Sequence, residues 1–333
     1  MTTIDQHNPI KLSVIICCFN SSKLLGPTLQ ALSLQKKTEP FSWEIIVVDN
    51  NSSDNTFEFA ENEWKQLGSP FKLLVVREPN AGLMNAREKG KSVSSGEILI
   101  FCDDDNRLNE NYVATVINEF ENDQKLAALG GRGIPVFETE KPKWFDKYAI
   151  NYAVGKQKGA QSVIKNLYGA GIALRKSYLQ KLYDSGFEPK LIGRKGSILL
   201  AGEDTELVFA LQFMDVNIGY NDDLTFEHYL TSKRLNFDYL CEMRKGIGAA
   251  QPILNLYKLV HANKQMDKFY YLRQLIGAYT KMIKQTLFSP TSTRRTPRLT
   301  YNQGYIQALK DSKAELHTFM EEIQNLQLKL KKS

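Results

Sequence analysis

The plainest pattern along the chain is a series of short apolar runs, each closed by polar residues. Leu12–Phe19 (LSVIICCF) is nearly continuous in apolar side chains, as a strand buried on both faces requires. It gives way to the polar turn Asn20-Ser21-Ser22 and then to helical spacing through Leu24, Leu25, Leu29 and Leu32. A second run, Glu44–Val48 (EIIVV), stops at Asp49, followed by the polar stretch Asn50–Asn55 and a helical segment to about Leu67. Phe71–Val76 and Glu97–Cys102 predict a third and a fourth strand. Strand, loop, helix and strand again at about 30-residue intervals predicts an α/β fold with a mostly parallel, doubly wound central sheet. Ligands of such sheets lie beyond the carboxyl ends of the strands. Asn20, Asp49 and Asp103–Asp105 stand at those ends and are therefore expected to face one crevice.

Further along, Gly130–Pro135 and Glu138–Lys147 are rich in turns, and regularity resumes at Leu167–Arg175. Gly202–Met214 reads as a helix and Ile218–Tyr220 as a strand. From about Pro252 the composition is helical. Leu272, Leu275, Ile276, Tyr279, Met282, Ile283 and Leu287 form one amphipathic stripe. Ser289–Pro297 reads as a linker. Leu309, Leu316, Ile323 and Leu330 then recur every seven residues, with Phe319 and Leu326 at the complementary positions. That spacing predicts a helix packed in coiled-coil manner, either within the chain or as the seam of a homodimer.

Composition adds three points. With 42% hydrophobic and 24% charged residues the chain is globular rather than disordered. It has no stretch of the roughly 18–20 apolar residues that span a membrane, and its start lacks the charged-then-apolar pattern of a signal peptide. Cys17, Cys18, Cys102 and Cys241 show no zinc or redox spacing, so free thiols in a reducing cytoplasm are expected. The Asn-x-Ser matches at Asn20, Asn50 and Asn51 are then chance. The net charge of +6 is uneven: residues 231–333 carry 18 Lys and Arg against 7 Asp and Glu. A basic tail beside an apolar stripe suggests peripheral contact with an anionic membrane face, through Phe269–Leu287 and the basic residues around Arg294–Arg298. Nucleic acid is not expected, because the RRTPR segment lacks interleaved aromatics.

Three features carry candidate chemistry. Asp103-Asp104-Asp105 closes an apolar strand, and oxygen ligands with concentrated negative charge suit Mg²⁺ or Mn²⁺. Read alone, the triplet is either a cation site or a solvated acidic turn. Arg107 and Leu108 exclude an EF-hand loop. Gly202-Glu203-Asp204 opens a helix, where acidic residues equally serve the helix dipole. His228, in TFEHYL, is either a site residue or a buried structural histidine. Trp144 is either a sugar-stacking surface or a packing anchor. Arg194, Lys195 and Arg234 are candidates for phosphate contacts. The first strand is not followed by Gly-x-Gly-x-x-Gly, and no Gly-Lys-Ser/Thr loop occurs, which excludes a dinucleotide oxidoreductase and a P-loop phosphotransferase.

The order of the motifs is more specific than any one of them. SVIICCFN, EIIVVDNNSSDNT, NAGLMNAREKG and ILIFCDDDN follow one another, with YGAGIALRKS, GEDTEL and His228 downstream. This series resembles family 2 glycosyltransferases over roughly residues 10–240. Where that family often has Pro-Thr-Tyr-Asn, this chain has Cys17-Cys18-Phe19-Asn20, which bears on base preference. The resemblance implies a GT-A fold and an inverting, Asp-x-Asp type of transferase. Its catalytic domain would span residues 10–248, with a nucleotide-sugar half at 10–106 and an acceptor half at 107–248. A basic helical extension would follow at 249–333. The resemblance further implies nucleotide contacts at Phe19, Asn20, Asp49, Asn80, Arg87, Asp103 and Asp104, with Arg87 near the base. It implies Asp105 as metal ligand with Asp103 and His228 beside it, and Asp204 as general base in a Glu203-Asp204 motif. The implied partners are a nucleotide-diphospho-sugar donor, a divalent metal (Mn²⁺ or Mg²⁺) and a glycan or lipid-linked sugar acceptor. The work would be done in the cytoplasm, at the inner face of the cell membrane. A non-catalytic sugar-nucleotide-binding scaffold would be expected to have lost Asp105 or Asp204, and both are present.

Overall fold

The computed structural model describes residues 9–157, 165–193, 199–287 and 296–332. Its first half alternates β1 (Ile10–Cys18), α1 (Leu25–Ser33), β2 (Ser42–Asp49), α2 (Thr56–Gln66), β3 (Lys72–Arg77), α3 (Leu83–Val93) and β4 (Ile98–Asp103). There follow β5 (Asn106–Leu108), α4 (Tyr112–Asn122), β6 (Leu126–Phe137), α5 (Phe145–Tyr148), β7 (Ala173–Arg175), α6 (Lys176–Asp184), α7 (Glu203–Leu211) and β8 (Asn217–Leu230). Four helices close the chain: α8 (Phe237–His261), α9 (Tyr270–Leu287), α10 (Pro297–Asp311) and α11 (Leu316–Lys332).

The eight strands form one sheet in the order β3-β2-β1-β4-β7-β6-β8-β5. The first four are mutually parallel, and β7 and β5 run against their neighbours. Alternation along each strand divides the core. Leu12, Val14 and Ile16 of β1 face α1, α2 and α4, whereas Ile15 faces the opposite layer with Ile46, Val48, Leu99 and Phe101. That opposite layer carries Ala86 of α3, then α6, α7 and the C-terminal helices. Both sheet faces are thus dry, which is why the strand sequences read as continuous apolar runs.

Two elements are longer than the sequence pattern predicts. Only Ile218–Tyr220 reads as strand, yet β8 extends to Leu230 beside β6. Its later half buries Leu224, Phe226, His228 and Leu230 on one face, a period-two pattern interrupted at its start by Asp222 and Asp223. Helix α8 begins at Phe237, well before Pro252, because the Asn236 side chain accepts the Tyr239 N–H at 2.7 Å and caps it. It runs through residue 248, where the catalytic domain is expected to end.

The seven-residue row of the last helices packs within the chain: Leu309, Leu316, Ile323 and Leu330 are buried in the core that reaches α8. The stripe on α9 behaves differently. Leu275, Tyr279 and Met282 pack inward, while Leu272, Ile276, Ile283 and Leu287 are exposed. Among the described residues no helix is long and apolar enough to cross a membrane. All four cysteines are free thiols, and burial pushes the half-buried Cys17 up to about 12.

Candidate active site

Order 2-1-4 within the sheet puts a topological switch between β1 and β4, since the chain leaves β1 in one direction and returns on its other side. The parallel register then sets the strand ends level: Cys17 pairs with Asp103, Cys18 with Asp49, and Asp49 with Arg77. Asn20, Asp49 and Asp103 come to one edge of the sheet as the sequence pattern requires.

Asn20 adopts φ 56 and its side chain accepts the Ser53 N–H at 2.8 Å, which ties the turn after β1 to the loop after β2. Phe19 beside it is 54% exposed, an aromatic ring left open at the rim of the crevice. Asp49 is buried and accepts the Ser52 N–H at 3.1 Å. Asn50 was not singled out by its sequence context. It is buried and bonds three backbone groups of the next loop: the carbonyls of Glu78 (3.2 Å) and Asn80 (2.7 Å) and the Gly82 N–H (2.7 Å). It thereby fixes the loop carrying Asn80. An asparagine directly after a strand-ending aspartate was the signal.

The acidic triplet divides at the tight turn joining β4 to β5. Asp104, grouped on sequence with the nucleotide contacts, turns its carboxylate to the Ser21 hydroxyl, while its carbonyl accepts from Thr28 Oγ1 at 2.8 Å. It braces the start of α1. Burial, and next Asp105, push its carboxyl up to about 7. Asp105 goes to the other side. Antiparallel pairing of Asn106 with His228 brings β8 alongside, and the Asp105 carboxylate lies 3.4 Å from His228 Nε2 and 2.5 Å from Arg234 Nη1. Arg234 Nη1 is also 3.0 Å from His228 Nε2. Burial works most strongly against the charge on Arg234, but Asp105, together with Tyr239, Asp103 and Asp104, raises the guanidinium above its ordinary value. His228 Nδ1 is buried and has no hydrogen-bond partner among the described residues.

Helix α7 follows Gly202, whose φ of 107 suits the reversal into the helix. Glu203 and Asp204 thus occupy the first turn. Asp204 Oδ1 lies 2.5 Å from Arg87 Nη1, and a Cβ on Gly169 would fall within 2.4 Å of the Asp204 carboxylate. Only glycine at 169 leaves that carboxylate room. Arg87, expected as a helper at the nucleotide base, reaches over the Phe101 ring (5.3 Å) to Asp204. The reason is that α3 packs on the same sheet face as α7. A small, mostly apolar pocket opens beside this pair, lined by Met84, Phe101, Ile172, Leu179, Tyr183 and Leu207 among others. Trp144 packs with Phe145, Tyr152 and Phe237, its anchoring alternative. Arg194 and Lys195 lie outside the described residues.

The donor set suits a hard divalent cation in kind: carboxylates from one turn and an imidazole with its inner nitrogen unbonded. No three His, Cys, Asp or Glu side chains among the described residues converge, so protein groups alone do not enclose an ion. A cation that takes its remaining ligands from phosphate oxygens fits such a partial site.

Comparison with known proteins bears on this geometry. Residues 13–183, more than half of the chain, match the family model described as glycosyl transferase family 2. The chain is 22% identical over 277 residues to the glucosyl-dolichyl phosphate glucuronosyltransferase of Haloferax volcanii, covering 81% of this chain and 84% of that protein. It is 28% identical over 218 residues to the probable glycosyltransferase YdaM of Bacillus subtilis, covering 63% of this chain but only 48% of that one. Among solved structures, a mannosyltransferase from Pyrobaculum calidifontis in complex with GDP-Man and Mn²⁺ superposes with a TM-score of 0.57 at 15% identity, over 98% of this chain and 88% of that one.

Proposed function

Since the chain belongs to glycosyl transferase family 2 and shares the GT-A fold, we propose that it moves a sugar from a nucleotide-diphospho-sugar to an acceptor hydroxyl with inversion at the anomeric carbon. The observation that carries this reading is the placement of Asp204. It stands on the first turn of α7, beside Arg87 and against Gly169, and Arg87 also feels the charge of Asp103 at the strand-end edge. An acceptor hydroxyl is a weak nucleophile and needs a base to take its proton as it attacks. In this reading the acceptor oxygen bonds to the anomeric carbon, its proton passes to the Asp204 carboxylate, and the sugar–phosphate bond breaks on the opposite side. The nucleoside diphosphate leaves with the bonding electrons. One carboxylate and one displacement suffice.

Residues 10–106 serve the nucleotide sugar, with Phe19, Asn20, Asp49 and Asn80 along its path, and residues 107–248 serve the acceptor. Asp105 and His228, with Asp103 nearby, are the groups that would hold Mn²⁺ or Mg²⁺, which when bound offsets charge on the diphosphate. Glu203 adds negative charge beside Arg87 and so balances the guanidinium when Asp204 turns to the acceptor. The acceptor is a glycan or a lipid-linked sugar, and the chain works at the cytoplasmic face of a membrane in polysaccharide or glycolipid assembly. The name of the Haloferax relative, which specifies a sugar on a dolichyl phosphate, supports a lipid-borne acceptor.

The test is calorimetric titration with UDP-, GDP- and dTDP-linked sugars, with Mn²⁺ or EDTA. We expect one donor to bind, and EDTA or Asp105→Ala to abolish that binding. Asp204→Asn should bind the donor within a few-fold of wild type yet turn over about 10²–10⁴ times more slowly. Failure of every donor to bind in the presence of metal would point to a scaffold protein of this fold.

A further inference from the structure

We infer that the outward face of α9 is a docking surface for an anionic lipid bilayer. The inference rests on the reading above only in that the acceptor is membrane-borne. Phe269, just before the helix, and Leu272, Ile276, Ile283 and Leu287 are each at least half exposed. They follow one another at intervals of three, four, seven and four residues, so they stand in a single row along the helix. Over its 18 residues α9 is about 27 Å long. A helix of an isolated globular protein turns its apolar stripe to the core and its polar face to water. This one shows apolar residues on both sides: Leu275, Tyr279 and Met282 pack inward, and the second row meets solvent.

Charge identifies the occupant. From Lys268 to Leu287 the chain has no carboxylate, whereas Lys268, Arg273, Lys281 and Lys284 are basic and exposed. Arg273 is paired with Asp267 at 2.8 and 2.9 Å, so its charge is met within the protein. The three lysines are joined by Lys310 of α10 and by Lys313 just after it. Lys310 lies 5.5 Å from the Tyr279 ring and Lys313 5.1 Å from the Tyr271 ring, which sets both beside α9. Apolar side chains flanked by lysines, on a helix without a carboxylate of its own and with Asp267 engaged by Arg273, match a helix lying at the headgroup boundary of an anionic membrane. A protein partner would need no such one-sided charge.

The experiment is flotation of the full chain with vesicles of phosphatidylcholine alone or with 30% phosphatidylglycerol added (roughly the anionic share that makes a strong surface potential). Wild type should float with the anionic vesicles and far less with the neutral ones, and rising salt should release it in part. Ile276→Glu with Ile283→Glu should cut partition about tenfold or more. Both positions face solvent, so the fold and nucleotide-sugar binding should be unchanged. Lys281→Glu with Lys284→Glu should remove the preference for anionic lipid. Wild type that stays with the soluble fraction would overturn the inference, as would equal flotation of the Ile276 and Ile283 double variant. So would a concentration-dependent dimer, seen by sedimentation and dissolved by the same double variant, because the row would then be a protein seam. Donor titration of the same samples separates these outcomes from a failure of the sugar-transfer reading.

Discussion

At the scale of single residues, the buried and half-buried carboxylates are sorted by what they meet. Asp105 is held by Arg234 and His228, Asp204 by Arg87, and Glu206 by the Lys190 and Leu191 N–H groups with the Tyr257 hydroxyl. Glu206 is the most enclosed, and burial outweighs its hydrogen bonds to push its carboxyl up to about 7, from an ordinary 4.5. Between those two values the native state keeps a proton that the unfolded chain has lost, so stability falls as pH rises through that window. The loss is on the order of 3 kcal/mol. Thermal melts from pH 5 to 8 should therefore show wild type weakening, and Glu206→Gln should flatten the slope; equal slopes would contradict the assignment. Some of this was legible beforehand. Asp49, Asp103, Asp105 and Asp204 each stood at a strand end or helix start. What was not legible were partners distant in the chain: Ser21 for Asp104, Arg234 for Asp105 and Arg87 for Asp204 lie 83, 129 and 117 residues away. Strand-end position can be read from local hydrophobic pattern, but pairing depends on how layers stack.

At the scale of elements, the strands were readable because both faces of β1, β2 and β4 are buried, which leaves an unbroken apolar run. The long β8 was hidden by its half-polar first part, although the spacing of Leu224, Phe226, His228 and Leu230 already placed His228 on the inward face. The α8–α10 crossing could not be anticipated from composition, since it depends on glycines meeting backbone. A Cβ on Gly304 would sit 2.0 Å from the Lys245 carbonyl oxygen, and one on Gly248 2.0 Å from that of Tyr301. Gly304→Ala should therefore lower stability by about 1–3 kcal/mol, overriding the helix-propensity gain. Gly277→Ala in α9 is the control. No atom lies within 4 Å of its Cβ, and the change should stabilise by roughly 0.5–1 kcal/mol. Urea midpoints of the two variants should move in opposite directions.

At the scale of the molecule, the last helices are part of the core. One hydrophobic cluster runs from Ile15 and Phe101 under the sheet through Val208 and Tyr257 to Ile306, Met320 and Leu330. Removing residues 296–333 would strip α10 and α11 from α8 and uncover that surface, so the shortened chain should be insoluble or bind a hydrophobic dye. A soluble product with the wild-type melting point would show that the extension is an appendage after all. The basic surplus of residues 231–333 is carried on this structural layer, so the part that shapes the core also sets the outer charge. The thiols have a practical side. Cys18, Cys102 and Cys241 are buried, and burial pushes the Cys17 thiol up to about 12, so none should react readily with maleimides at neutral pH. The native chain is thus a silent background for labelling: a single cysteine placed at Ile283 could carry a fluorophore whose colour reports how deep that side chain sits in the acyl region.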